Sequence, residues 1–145
     1  MKRLTLLAAL SVVGVLSAAT ASAGTTPVTV ATAHTAALGT FLVSDGRTLY
    51  LFEADARNQS TCTGPCAGTW PPLTTTGRPL AGPGVKPGLL GTIKRGVTAQ
   101  VTYDGHALYF YSGDTRRGET GSQNLKLFGA KWFVVGVAGN AITKP

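Results

Sequence analysis

The sequence predicts an all-β domain, a small sandwich or barrel built from two β-hairpin repeats related by an approximate internal twofold axis. The segment Asp45–Asp55 recurs 59 residues later as Asp104–Asp114, with the shared pattern D-G-x-x-L-Y-x-aromatic-x-x-D. Each copy places Asp-Gly between two apolar runs, which is typical of a tight hairpin. No sustained helical period of apolar residues follows residue 24, and 19 glycines and 8 prolines indicate many turns.

The first 23 residues have the composition of a signal peptide. Lys2 and Arg3 precede an apolar run over residues 4–16, and residues 21–23, Ala-Ser-Ala, form a small-residue cleavage site. The apolar run is too short for a transmembrane helix, and no later run is apolar enough to cross a membrane. We therefore expect an exported, extracytoplasmic chain that is cleaved near Ala23-Gly24.

Residues 24–145 are expected to form a single domain with a basic surface. Without Lys2 and Arg3, eleven of the 13 Lys and Arg residues remain against 6 Asp and Glu residues, a net charge of +5. The basic residues are scattered, which is typical of a solvated surface and compatible with attraction to an anionic cell-envelope polymer or envelope protein. No motif combines basic and aromatic residues as nucleic-acid-binding modules do, so we expect no nucleic-acid partner.

The strands of the first repeat follow from local patterns. Residues 27–33 are predicted to form a strand, and residues 41–43 lead into the Asp45-Gly46 turn. The returning strand, residues 48–53, places Tyr50 and Phe52 on one face and two leucines on the other, because side chains alternate across a strand. Since both faces are apolar, the pattern predicts a central strand that is covered on both sides.

The second repeat follows the same order. Strands are predicted at residues 91–94, 101–103 and 107–112, with the Asp104-Gly105 turn between the last two, and a further strand at residues 131–137. The half-repeats extend over about residues 38–73 and 91–137, and the glycine- and proline-rich segment between them is predicted to be a surface connection. Trp132 lies in a predicted strand and is expected to be buried, whereas for Trp70 burial and exposure remain alternatives.

The repeated motif contains the candidate site residues: Tyr50, Phe52, Asp55, Tyr109, Tyr111 and Asp114. Asp55 and Asp114 could act as paired carboxylates, either as acid and base in a hydrolase or as ligands for a hard cation. Alternatively, each aspartate accepts hydrogen bonds from the following turn or pairs with Arg57 and Arg116, which recur with it. We favour this structural role, and a core role for the two tyrosines of the L-Y pattern.

Cys62 and Cys66 are the cysteines of this chain, and an exported protein with a Gly-Pro turn between them is expected to join them in a disulfide. An alternative is a copper or zinc site that adds His34 and His106 to the two thiolates. We expect His106 to be an exposed turn residue and His34 a loop residue. Covalent haem attachment needs histidine after the second cysteine, where Ala67 stands, and we predict no cofactor.

Three features resemble those of the bacterial secreted-repeat proteins, a family of unknown function with many predicted lipoproteins. They are the doubled Tyr-x-aromatic-x-x-Asp motif, the C-x-x-x-C-A-x-x-W-P-P-L block at residues 62–73, and Gln-Val-Thr-Tyr at residues 100–103. The similarity runs from about Leu38 to Val135. This chain lacks the amino-terminal lipid-bearing cysteine of the lipoprotein members, and it has Glu119 where the family pattern has aspartate. The resemblance implies export and a two-repeat fold, and it implies no reaction.

These observations favour an exported, non-enzymatic β-domain that binds a cell-envelope component. One alternative is an extracytoplasmic metal-binding or redox accessory protein that uses the cysteines, aspartates or tyrosines. Another is a hydrolase that uses Asp55 and Asp114. The sequence contains no nucleophile-elbow motif and no phosphate-binding glycine loop, which would point to other enzyme classes.

Overall fold

The computed structural model describes residues 26–145, so the expected signal peptide and its cleavage site lie outside the described residues. Within them the all-β prediction is confirmed. The strands are β1 (Thr29–Thr35), β2 (Gly39–Ser44), β3 (Arg47–Thr48), β4 (Tyr50–Phe52), β5 (Thr74–Thr75), β6 (Leu80–Ala81), β7 (Leu90–Arg95), β8 (Thr98–Tyr103), β9 (His106–Ala107), β10 (Leu125–Leu127) and β11 (Ala130–Val134). A one-turn helix α1 (Pro65–Thr69) and a 3-10 turn (Pro87–Leu89) are the helical elements of this part of the chain.

The strands form three sheets. Their orders are β3-β2-β1-β6, β10-β11-β4 and β5-β8-β7, and β9 also pairs with β8. All pairings are antiparallel except β1 with β6, which run parallel. Over residues 26–145 the sheets are open and are joined by single bridges, and they do not close into a barrel.

The two Asp-Gly hairpins are equivalent. Val43 pairs with Thr48 in the first, and Thr102 pairs with Ala107 at the corresponding positions of the second. Both central residues of each turn have positive φ: 49° and 74° in the first, 47° and 79° in the second. Positive φ at both positions defines the primed turn that matches the twist of a hairpin, as the sequence predicts.

The pseudo-twofold axis passes between the two repeats at their central tyrosines. Tyr50 donates its backbone N–H to the carbonyl of Tyr109 at 2.8 Å, and Tyr109 donates to the carbonyl of Tyr50 at 3.0 Å. The two residues occupy the same position of the repeated motif and form an antiparallel bridge. A residue that pairs with its own equivalent must lie at a twofold axis, which confirms the predicted internal symmetry.

Each repeat also completes the sheet of the other. Strand β11, at the end of the second repeat, pairs with β4 of the first. In the symmetric position, residues 69–73 of the first repeat run along residues 108–112 of the second, and the Phe110 N–H donates to the Pro71 carbonyl at 2.8 Å. The second returning strand is therefore less regular than predicted, since Pro71 and Pro72 cannot donate backbone hydrogen bonds to it.

Burial follows the predicted alternation. One cluster contains the side chains of Tyr50, Phe52, Trp70, Tyr109 and Trp132, together with the disulfide. The opposite faces of the same strands join a second cluster, which contains Leu42, Leu49, Leu51, Leu108, Phe133 and Val135. The returning strands are thus covered on both sides, and both tryptophans are fully buried.

Several boundaries differ from the sequence prediction. The segment between the half-repeats contains β5, β6 and the 3-10 turn, because its residues find partners on β8 and β1. His34 lies in β1 and not in a loop, and its Nδ1 is 3.2 Å from the Thr40 hydroxyl across the hairpin. Helix α1 is too short to show a helical period, and Pro65 starts it.

The second primed turn provides a test of the hairpin. Replacing Gly105, at φ 79°, with alanine forces a Cβ into the left-handed region and to 2.6 Å from Cγ of Arg57. We expect Gly105→Ala to lower the free energy of unfolding by about 1–2 kcal/mol in urea denaturation. The matched control is Gly88→Ala, where an added Cβ meets nothing within 4 Å. Equal stability of the two variants would contradict the turn assignment.

Candidate functional site: the tyrosine–aspartate centre and the Arg95 cleft

A column of stacked aromatic rings crosses the pseudo-twofold axis. Trp70 and Trp132, which follow equivalent strands, stack with centroids 3.8 Å apart and planes 2° from parallel. Phe52 stacks on Trp132 at 4.1 Å, and Tyr111 packs against Trp70 at 4.8 Å with its ring tilted by 39°. The motif residues Phe52 and Tyr111 are therefore equivalent ends of one four-ring column, and their role is packing.

The two buried tyrosines bind aspartates of the opposite repeat. The Tyr50 hydroxyl donates to Asp114 Oδ2 at 2.5 Å, and the Tyr109 hydroxyl donates to Asp55 Oδ2 at 2.6 Å. Each tyrosine ring also packs edge-on against a tryptophan, at 5.3 Å for Tyr50 with Trp70. Because each hydrogen bond joins the two repeats, the Tyr–Asp pairs stabilise the contact between them. They also fix the aspartate that follows each returning strand.

The second oxygen of each aspartate holds the turn that follows its strand. Asp55 Oδ1 accepts from the Thr61 N–H at 2.7 Å and from the Thr61 hydroxyl at 2.8 Å. Asp114 Oδ1 accepts from the Gly121 N–H at 3.0 Å. Both carboxylates are thus engaged on both oxygens, as the structural alternative predicts.

The arginines do not pair with these aspartates. Arg57 instead donates to the backbone carbonyl of Asp104 at 2.9 Å, on the turn of the other repeat. Its structural counterpart is Arg117 rather than Arg116, and Arg117 donates to the Asp45 carbonyl at 3.2 Å. Of the two structural roles considered for the aspartates, the pairing with Arg57 and Arg116 is wrong, because turn groups and the tyrosine hydroxyls bind the carboxylates.

Burial changes the protonation equilibria of this centre. Desolvation raises the pKa of Tyr50 and of Tyr109 well above the ordinary value, and the hydrogen bond to a carboxylate raises both further. Desolvation also raises the pKa of Asp114, although hydrogen bonds from Tyr50 and Gly121 oppose the shift. Both phenols are consequently neutral donors over the physiological range.

Cys62 and Cys66 form the predicted disulfide, with Cα atoms 5.2 Å apart. Both sulfurs are buried in the aromatic cluster beside Trp70. The proposed copper or zinc site needs two thiolates, and the disulfide removes both from the ligand set. Among residues 26–145, no group of three or more His, Cys, Asp or Glu side chains is arranged to hold a metal ion.

A cation that the sequence did not single out lies beside the Tyr109–Asp55 pair. Arg95, the last residue of β7, donates from Nη1 to Ser60 Oγ at 2.8 Å and to Gln100 Oε1 at 3.0 Å. Its Nη2 donates to the Cys62 carbonyl at 2.6 Å. Ser60 Oγ is in turn 2.6 Å from the Tyr109 hydroxyl.

A cleft of about 600 Å³ opens beside this arginine. Its lining residues are neutral or basic: Asn58, Gln59, Ser60, Thr63, Ile93, Lys94, Arg95 and Gln100. The sequence contains a signal for the position of Arg95, because side chains alternate between the two faces of β7. Arg95 shares a face with Ile93, which packs on the aromatic cluster. A charged residue on the core-facing side of a strand is a candidate for function.

The motif aspartates can be tested as structural groups. We expect Asp114→Asn to lower the free energy of unfolding by about 1–3 kcal/mol, because an amide cannot replace both carboxylate hydrogen bonds of a buried group. Glu53→Gln is the matched control, since Glu53 is exposed and its side chain makes no salt bridge within residues 26–145. Thermal unfolding of both variants would show a clear fall for the first and little change for the second. Equal melting temperatures would refute the structural role.

The raised tyrosine pKa values predict loss of stability in alkali. The unfolded tyrosine ionises near pH ~10, so the contribution is complete below that pH and is lost as the pH rises toward the folded-state pKa. We expect each buried phenol to steepen the loss by up to about 1.4 kcal/mol per pH unit. Urea unfolding at several alkaline pH values should therefore give a shallower dependence for Tyr50→Phe than for the parent. Identical slopes would contradict the shift.

The comparisons with known proteins agree with this architecture. Residues 32–74 and 92–136 each match the model of a family described as a secreted repeat of unknown function. These ranges coincide with the two structural repeats, and together they cover more than half of the chain. No curated protein and no solved structure shows significant similarity to it. No helix among residues 26–145 is long and apolar enough to cross a membrane. The chain belongs to the family of secreted repeats of unknown function.

Proposed function

We propose that this protein is an exported, non-enzymatic β-domain that binds an anionic component of the cell envelope, either a polymer or an acidic protein. The observation behind this proposal is that acidic and basic side chains differ in how many of them have a partner within the fold. Five of the six acidic side chains contact other groups of the chain, whereas most of the basic side chains are left without a carboxylate partner. The three ion pairs remove equal numbers of positive and negative charges, so the net charge of +5 is carried by cations that have no carboxylate partner.

Five of the six acidic residues are held by other groups of the chain. Two accept from buried tyrosines, as described above. The other contacts are Arg57 with Asp104 at 3.3 Å, Arg116 with Glu119 at 3.5 Å and Arg117 with Asp45 at 3.8 Å. Glu119 also accepts from the backbone N–H groups of Thr115 and Arg116, which lower the pKa of its carboxyl. The two tyrosine-bound carboxylates are fixed by the core, whereas the three ion pairs lie at the surface.

Most of the remaining cations are exposed. Within residues 26–145, eight Lys and Arg residues make no salt bridge; Arg47 and Arg95 are half-buried, and the six exposed ones are Arg78, Lys86, Lys94, Lys126, Lys131 and Lys144. A single exposed ion pair contributes little to binding, but a polyanion can contact several such cations at once. The attraction should weaken as salt shortens the Debye length.

The β10–β11 hairpin is the part of this surface that best fits a polyanion. Lys126 and Lys131 face each other directly across the hairpin, an arrangement of like charges that is unfavourable by itself. At the tip, Phe128 has φ 57°, which is unusual for a bulky residue, and its side chain is 47% exposed. An anionic ligand along this hairpin would relieve the lysine repulsion and gain an apolar contact with the ring.

The bonding of the motif residues supports a role without catalysis. An acid–base pair needs carboxylates that are free to exchange protons with a substrate, whereas Asp55 and Asp114 each bind a neutral phenol and a turn. The cysteines are joined in a buried disulfide. The symmetric centre is best understood as the support of a rigid binding scaffold.

The hairpin provides a direct test. We expect the purified protein to sediment with bacterial cell walls that retain their anionic polymer, and to be released by salt. Lys126→Gln with Lys131→Gln should weaken this binding about tenfold, equivalent to about 1.4 kcal/mol. Lys86→Gln with Lys144→Gln removes the same charge elsewhere and should have a clearly smaller effect.

Two results would refute the proposal. One is binding that does not depend on salt or on the presence of the anionic polymer. The other is an equal loss in the two double variants, which would show that only net charge matters and that the hairpin has no particular role.

A further inference from the structure

We propose that the cleft beside Arg95 is a binding site for a phosphate group, either free phosphate or a phosphate monoester. This inference goes beyond the proposed function, because it names a discrete site whose lining residues do not include the β10–β11 hairpin. Its basis is a guanidinium that the fold holds in place without a counterion.

The structure commits only part of the hydrogen-bonding capacity of Arg95. A guanidinium has five N–H donors, and the contacts to Ser60, Gln100 and Cys62 use three of them. All three acceptors are neutral. None of the salt bridges within residues 26–145 involves Arg95, so its charge is not compensated by a direct carboxylate contact.

The acceptors are themselves fixed, so the cation is held in position. Gln100 is fully buried, and its Nε2 donates to the Leu108 carbonyl at 3.0 Å, which leaves its Oε1 for Arg95. The carbonyl of Cys62 belongs to the short disulfide loop. A ligand that binds this guanidinium therefore meets a charge that is already oriented, and it loses less conformational entropy on binding.

Asp55 does not neutralise Arg95 directly. Arginine can only donate, so Ser60 Oγ accepts from it and is free to donate to the Tyr109 hydroxyl, which donates to Asp55. Two hydroxyl groups consequently separate the guanidinium from that carboxylate. Ser60 is oriented by its contacts with Arg95 and Tyr109. None of the residues that line the cleft is acidic.

The pseudo-symmetry indicates that the fold does not require this arginine. Strand β1 is the counterpart of β7 in the first repeat, and it ends at Thr35 where β7 ends at Arg95. The Tyr50–Asp114 pair of the other half forms at 2.5 Å, and the arginine whose charge acts on it, Arg47, lies on β3 and donates to the Tyr111 carbonyl. Arg95 therefore has no counterpart at the equivalent strand end of the first repeat, and the motif pair of that half forms without a cation at this position.

Phosphate matches the donors around the cleft. Guanidinium groups bind phosphate oxygens with two N–H donors, and Arg95 has two that are not otherwise used. Asn58, Gln59 and Thr63 line the same cleft and provide neutral polar groups for further oxygens. The volume of about 600 Å³ lies within the range of small-molecule sites, so a phosphate ester of moderate size can enter.

NMR titration of the exported protein tests this site. We expect inorganic phosphate and glycerol phosphate to shift the amide signals of residues 58–63 and 93–95 in a saturable way, and acetate to bind at least tenfold more weakly. Arg95→Gln should abolish the saturable shifts. Because this change also removes a structural contact, Asn58→Asp provides a second variant, which places a negative charge on the cleft wall and should weaken phosphate binding at least tenfold.

Asn140→Asp makes the same chemical change at an exposed residue outside the cleft and should leave phosphate binding unchanged. Equal affinity for acetate and phosphate, shifts spread over all exposed lysines, or normal binding by Asn58→Asp would overturn the inference. Cell-wall sedimentation separates it from the proposed function. Cell-wall binding without saturable phosphate shifts would refute only the phosphate site. Saturable phosphate shifts without cell-wall binding would refute only the proposed envelope function.

Discussion

The reciprocal pairing of Tyr50 with Tyr109 is the constraint on which this fold depends. The returning strand of each repeat is apolar on both faces, so it cannot be stable at the surface of an isolated hairpin. Pairing the two strands at their central residues covers one edge of each, and the segments that contain Trp70 and Trp132 cover the other edges. Neither repeat retains a complete sheet if the other is removed, which explains why the two motifs occur in one chain. The aromatic column and the crossed Tyr–Asp bonds then act on a geometry that the backbone pairing has established.

Much of this arrangement was predictable from the repeat. The Asp-Gly turns, the alternation of tyrosine and leucine faces and the internal twofold follow from local chemistry that a single sequence displays. The partners of Asp55 and Asp114 were not predictable, because the tyrosines that bind them lie more than fifty positions away in the sequence. Arginines that are close in sequence do not bind these aspartates, since each aspartate contacts a tyrosine of the other repeat. The position of Arg95 could not be predicted either, because its neutral acceptors come together only in the folded chain.

The differences between the repeats are more informative about function than their similarities. The symmetric residues, the four-ring column and the two Tyr–Asp pairs, are explained by packing and by the need to satisfy buried polar groups. Where the copies differ, each has a distinct surface feature. The first contains the disulfide loop and α1 before its tryptophan, and the second has the β10–β11 hairpin with Phe128 before the equivalent tryptophan. Duplication provides a stable centre, and selection can then alter one copy at its surface without weakening that centre.

The same internal bonding shapes the electrostatics of the surface. Tyrosine hydroxyls and turn amides bind two of the carboxylates, and three arginines pair with three more, so no lysine has a carboxylate partner within residues 26–145. The composition sets the excess of positive charge, and the core and turns determine which cations are left without a carboxylate partner. The proposed function uses this surface for contact with anionic polymers of the envelope. The Arg95 cleft differs from that general attraction in kind, because its cation is oriented by buried neutral groups and can discriminate between anions by shape.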